Sequence, residues 1–198
     1  MKYAQHLAAA VGVIFITGAL NTVSATLILV GPEDFPGTGL GAVNTILTIQ
    51  SPGATTSERG CVGRSSIFGC PGETLSTTAN GDLIGGPLGG NELTGASQTL
   101  TRTIGSLGID QAANLRVVFN AQEPGNAADN SITLNQLVLA IYSSAGVGLF
   151  TSLSGGPFTP HTFTDTQTGA GNSGFVYRLD AVEAAAAQAF FPPEIGLV

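Results

Sequence analysis

About seven or eight short stretches of this chain alternate apolar and polar residues with a period of two, and glycine-rich turns separate them. That pattern fits half-buried strands, not a helix, whose apolar positions recur roughly every 3.6 residues. In "AVNTILTIQ" (Ala42–Gln50), Val43, Leu47 and Ile49 share a face with Thr45 between them. In "QTLTRTI" (Gln98–Ile104), Leu100, Arg102 and Ile104 oppose Thr99, Thr101 and Thr103. "NLRVVFN" sets Leu115, Val117 and Phe119 against Arg116, Val118 and Asn120. "SITLNQLVLAIYSS" is the strongest strand, with Leu137, Leu139 and Ile141 on one face. "TLILV" (Thr26–Val30), "GLFTSL" and "GFVYRLD" complete the set. Threonine and β-branched residues suit this geometry. Asn80-Gly81 in "TTANGDL" predicts a type I′ hairpin, and Ala145-Gly146 turns the strongest strand back on itself. "GPEDFPGTG", "GGPLGGN", "EPGNAADN" and "SGGPFTP" read as loops. The expectation is an all-β chain: a two-sheet antiparallel β-sandwich, jelly-roll or Ig-like, over residues 26–191. Residues 51–96 are the least patterned and predict a long, partly mobile excursion.

The C-terminal "GNSGFVYRLDAVEAAAAQAFFPP" departs from this pattern. Phe175, Tyr177 and Leu179 alternate against Val176 and Arg178 as a last strand. Asp180 then stands as a helix N-cap with Glu183 three residues on, an Asp-led version of the capping box. Ala181–Ala189 favours helix, and Pro192-Pro193 stops it. The result is about three turns, far short of the roughly 20 residues that cross a bilayer. Val182, Ala186, Ala189 and Phe190 can share a face that lies against the sandwich, or docks onto a partner. Residues 192–198 remain as a short tail.

At the other end, Lys2, the apolar run "LAAAVGVIFITGAL" (Leu7–Leu20) and the compact "VSA" (Val23-Ser24-Ala25) make a secretory signal peptide over residues 1–25, cleaved after Ala25. The competing reading, an anchor running on through "TLILV", has Asn21, Thr22 and Ser24 interrupting it. Cleavage leaves 173 residues, with five arginines against 13 acidic residues and a formal charge of −8. An acidic surface without a basic patch repels phosphates, so nucleic acid and anionic lipid are poor partners. The absence of lysine after Lys2 excludes internal Lys–Asn isopeptide bonds. The two cysteines, Cys61 and Cys70, are expected to pair as a disulfide in an exported protein. Closing so short a loop stiffens the chain locally by about 2.5–3 kcal/mol. Two cysteines and a distant histidine do not make a zinc set, and the spacing is not C-x-x-C.

Chemistry is thinly represented. The mature chain has one histidine, His161, with Asp165 nearby in a Thr- and Gly-rich stretch. No G-x-S-x-G elbow accompanies it, so an exposed loop histidine is the plain reading. The acids Glu33-Asp34, Asp82, Glu92, Glu123 and Asp129 are scattered singly or in turns, not set as a facing catalytic pair. No tryptophan is present to serve as a sugar platform, and Tyr142 and Tyr177 fall within strands. No cofactor is specified. Calcium is the one candidate, at Glu123, Asn126, Asp129 and Asn130 of "EPGNAADN", against the alternative of a solvated turn. Arg64, Ile67 and Phe68 in the cysteine loop either form a contact tip or fold back onto the domain.

"NLRVVFNAQEPGNAADNSITLNQLVLAIYSSAGVGLF" and "GNSGFVYRLDAVEAAAAQAFF" resemble the body of PEP-CTERM-type exported proteins. Exosortase targets these proteins in Gram-negative bacteria that make extracellular polysaccharide. The resemblance covers roughly residues 98–191 and the signal peptide. It implies a non-enzymatic surface or matrix protein with a β-sandwich body, and carries over no functional residues. The group's sorting tail is Pro-Glu-Pro, an apolar helix and a basic end; "FFPPEIGLV" has Pro192, Pro193 and Glu194 instead, with no apolar span and no arginine cluster following. Free secretion or a shortened end are the readings that follow, with no membrane span after signal cleavage. The leading expectation is a structural or interaction protein, secreted to the cell surface or matrix and self-associating. An extracellular glycan-binding module is the alternative, with polysaccharide as partner, and a secreted hydrolase comes third.

Overall fold

A computed structural model describes residues 27–33, 43–50, 57–64, 74–85, 91–94, 98–121, 131–153, 158–163 and 174–192. Ten strands are described: β1 (Ile28–Glu33), β2 (Cys61–Gly63), β3 (Leu75–Thr77), β4 (Leu83–Gly85), β5 (Arg116–Asn120), β6 (Ile132–Leu134), β7 (Ala140–Tyr142), β8 (Gly148–Thr151), β9 (His161–Phe163) and β10 (Gly174–Arg178). Helix α1 (Ala181–Gln188) follows β10, and 3-10 turns cover Ile104–Leu107 and Ala112–Asn114. The strands make several small antiparallel sheets, ordered β1-β10-β5, β2-β4-β3, β6-β9 and β7-β8. The chain is therefore mostly β with one short C-terminal helix among the described residues.

β10 is the central strand of its sheet. Tyr177 faces Leu29 of β1 on one side and Val117 of β5 on the other. Val176 and Tyr177, on opposite faces of β10, are both buried, as is Leu179 just after the strand. The core joins Leu27, Leu115, Tyr177 and Leu179 to Ile141, Phe150 and Phe163 from the two-stranded sheets, and to Ala184, Ala187 and Phe191 at the helix. The alternation expected of Leu115, Val117 and Phe119 is present: Leu115 is buried, and Val117 and Phe119 pack against the core.

Several expected strands take other forms. β1 runs Ile28–Glu33, two residues later than "TLILV", and takes in Gly31–Glu33 from a stretch read as loop. Ala42–Gln50 forms no ladder in its described part; a lone bridge joins Ile49 to Glu92, and Thr48 bonds through Thr99 Oγ1. Gln98–Ile104 is not a strand either: Thr99 and Thr101 bond Thr48 and Asp82 through their side chains, and Ile104 opens a 3-10 turn capped by Thr103. The long strand over 131–144 divides into β6 and β7, which pair with different strands, β9 and β8. Its apolar face nevertheless holds, with Ile141 buried and Leu137 and Leu139 packed on the core. The unpatterned 51–96 region carries a three-stranded sheet of its own, β2-β4-β3.

Both expected hairpins exist, with a different turn. Gly81 N donates to Thr78 O at 3.0 Å and Thr78 N to Asp82 O at 2.8 Å. The central turn residues are therefore Ala79-Asn80, and Gly81 follows them in the left-handed region at φ +78°. The second hairpin repeats the arrangement: Gly146 N bonds Ser143 O at 2.9 Å, Ser143 N bonds Val147 O at 2.8 Å, and Gly146 has φ +80°. In each, the leading hydroxyl accepts from an amide four residues on, Thr78 Oγ1 from Asp82 N and Ser143 Oγ from Val147 N. The tips converge on Arg64. A Cβ at Gly146 would sit 2.8 Å from Arg64 O, whereas one at Gly81 would meet only Arg64 Nη1, at 3.7 Å. Gly146→Ala is accordingly expected to lose about 2 kcal/mol, from left-handed strain plus the backbone clash, and Gly81→Ala about 1 kcal/mol from strain alone. Urea unfolding midpoints of the two variants check the difference.

Helix α1 starts where expected. Asp180 Oδ1 accepts from Glu183 N at 2.8 Å. The buried face, however, is the reverse of the expected one. Glu183, Ala184 and Ala187 are buried, while Val182 is 55 % and Phe190 36 % exposed, with Ala186 and Ala189 also outward. Gln188 fixes the orientation, accepting from Ala112 N at 2.8 Å and donating to Asp110 O at 3.1 Å. Those two bonds tie the helix to the Ala112–Asn114 turn and turn the Val182 side outward.

Candidate functional site

His161 is a strand residue, not an exposed loop residue: it opens β9 opposite Leu134 of β6 and is half-buried. The neighbouring pair is fastened by a hydrogen bond between the Thr133 and Thr162 hydroxyls at 2.9 Å. Around the imidazole lie rings. Phe158 stands edge-on with centroids 5.7 Å apart, Tyr177 edge-on at 5.9 Å, and Phe163 tilted at 6.4 Å. Phe163 continues the cluster to Phe175 at 3.9 Å and Phe119 at 5.6 Å. Edge-to-face contacts of this kind add to core packing. The arrangement anchors β9 to β10 and β5, and places His161 at the rim of a core cluster. Asp165, the carboxylate nearest to it in sequence, lies outside the described residues.

Among the described residues the most heavily bonded carboxylate is Asp82, which the sequence presents only as one of several turn acids. It is 2 % exposed. Oδ1 accepts from Thr101 Oγ1 at 2.6 Å and from Arg64 Nη1 at 3.3 Å, and Oδ2 accepts from Thr101 N at 3.1 Å. Arg64 Nη1 also reaches Asn80 O at 3.4 Å. Asp82 therefore joins the β3–β4 hairpin to the residue after β2 and to the segment following residue 98. Its role is structural. Its position just after a hairpin turn was the only local sign of it, since Arg64 and Thr101 are 18 and 19 residues away. Glu92 acts similarly on a smaller scale, with Oε1 accepting from Cys61 N at 2.7 Å.

Among the described residues Glu183 is the other buried carboxylate, 2 % exposed, and both of its oxygens lack a hydrogen-bond partner. The expected capping box is thus half made: the Asp180 side chain accepts from Glu183 N, while the Glu183 carboxyl does not return the bond. Burial, and then the nearby Asp180 charge, push the Glu183 carboxyl up to about 7.

Cys61 carries no free thiol. Its expected partner Cys70 lies outside the described residues, as do Ile67 and Phe68, the calcium candidates Glu123, Asn126, Asp129 and Asn130, and residues 1–25. Among the described residues no three His, Cys, Asp or Glu side chains gather as a metal site, and no helix is long and apolar enough to cross a membrane. No protein-family model, no curated protein and no solved structure matches the chain.

Proposed function

We propose that the chain is an exported, non-enzymatic structural or interaction protein of a bacterial cell surface or extracellular matrix, and that it self-associates through its sheet edges. In this reading β1-β10-β5 forms one layer of a sandwich body, β6-β9 and β7-β8 supply the other, and a Cys61–Cys70 disulfide clasps an outlying loop. The shared apolar core of those sheets supports the layering. The observation that carries self-association is the edge strand β1. Among the described residues it pairs only with β10. It exposes Ile28 and, at the bulge between Leu29 and Gly31, Val30, the latter 58 % accessible, ahead of the Pro32-Glu33 pair that blunts its end. Exposed apolar edge strands are templates for pairing with a second chain, and natural proteins that remain monomeric blunt them with charge.

Purified mature protein, residues 26–198, is expected to assemble in light scattering, with or without calcium. Val30→Lys is expected to leave it monomeric, because a lysine on the edge opposes strand addition. A strict monomer in both calcium conditions defeats the self-association reading.

A further inference from the structure

We propose that α1 is a latch held by a proton: Glu183 stays protonated while the helix is docked, and losing that proton releases α1 from the domain. Three geometric features support this. Glu183 is enclosed, yet neither carboxyl oxygen finds a donor. A neutral acid tolerates such a site far better than a carboxylate does. Next, among the described residues the hold on the domain is modest: Ala184, Ala187 and Phe191 in the core and the two Gln188 bonds to Ala112 and Asp110. Finally, Val182 is 55 % and Phe190 36 % exposed, so that side of the helix contributes less to the hold than the side of Ala184 and Ala187.

Charges near the helix reinforce the direction. Asp180, one turn away at the N-cap, repels a Glu183 carboxylate. The Ala112–Asn114 turn against which α1 packs has no ionisable side chain of its own. Asp110 and Arg116 flank it, both exposed, and Arg116 is engaged with the Ala113 and Leu115 carbonyls. On β10, Arg178 is exposed, while the Tyr177 phenol is buried and kept neutral. Burial and Asp180 are what act on Glu183.

The sign follows from the carboxyl's affinity in the two states. Free of the domain, it ionises around its ordinary 4.5; docked, it holds its proton to about 7. Docking is therefore fully favoured below the ordinary value, weakens as pH rises between the two, and stays weakened above the higher one. The docking equilibrium falls on the order of a few hundred-fold across that interval.

Amide hydrogen exchange on the mature protein at pH 5 and pH 8, corrected for the intrinsic rate, tests this. Protection of the amides at 183–191 is expected to fall by roughly 70-fold, while that of β10 is retained; in Glu183→Gln the helix is expected to keep its protection at both pH values. Unchanged helix protection in the parent protein, a loss shared equally by β10, or a loss retained by Glu183→Gln overturns the latch. Should Glu183→Gln fail to fold, the carbon-13 titration of the Glu183 carboxyl in the parent protein decides: a midpoint near 7 supports it, one near 4.5 overturns it.

Discussion

Tyr177→Ala is expected to destabilise the protein by about 4 kcal/mol, within the range for losing a large buried aromatic. Tyr177 is 0 % exposed and is the largest fully buried side chain described. It lies on the central strand of β1-β10-β5, and its ring meets Phe158 at 5.8 Å and His161 at 5.9 Å. Truncation leaves a cavity where the strand, the β9 aromatics and the core adjoin. A domain of ordinary marginal stability would lose a large part of its reserve. Tyr177→Phe separates packing from polarity. The hydroxyl is buried without a hydrogen-bond partner, and burial pushes it up to about 12. Removing it should therefore be neutral or stabilise by about 1 kcal/mol. Equilibrium urea unfolding of both variants checks the pair; a phenylalanine as damaging as alanine would show that the hydroxyl is bonded after all.

Asp82→Ala is expected to cost about 3 kcal/mol, for a different reason. The carboxylate is an acceptor for three donors from Thr101 and Arg64. Alanine leaves the Thr101 amide and hydroxyl without that partner, whereas Arg64, whose side chain is 36 % exposed, can turn to water. The loss therefore comes mainly from the Thr101 side. Thr101→Val should show a related but smaller loss, since it removes one donor and keeps the amide bond. The double variant should cost less than the sum of the two, because the sites share one network. Additive losses in that cycle would remove Asp82 as the connecting residue.

Local pattern revealed which residues face inward better than it revealed how strands pair. Leu115, Ile141, Tyr177 and Leu179 fall on the apolar faces of period-two alternation and all four are buried, but so is Val176, which the same alternation sets on the opposite face from Tyr177. Pairing is a long-range property, and the stretch over 131–144 illustrates it. Nothing within it signals that Ile132 will face Phe163 while Ile141 faces Phe150. The hairpin positions were legible from Asn80-Gly81 and Ala145-Gly146, but the turn type was not. Glycine accepts the left-handed region either inside a two-residue turn or just after one, and only the Thr78 and Ser143 carbonyl bonds distinguish these. On α1, hydropathy favours burying Val182 and Phe190. The side-chain bonds of Gln188 to residues more than 70 positions away turn the helix the other way, and no local pattern encodes them. His161 gave no sign of its aromatic surroundings because Tyr177 reaches it from another strand.

The placement of β10 between β1 and β5 orders events in time. Leu29 and Tyr177 are register partners from opposite ends of the described chain. This sheet cannot close until residues 174–178 are available, however early β1 is made. Contacts of such separation form slowly, because a long loop must be closed before they contribute. If the chain is exported as proposed, it would then pass through the translocon as an open chain. Its first strand would wait for the last, and the completed sheet would appear only on the far side.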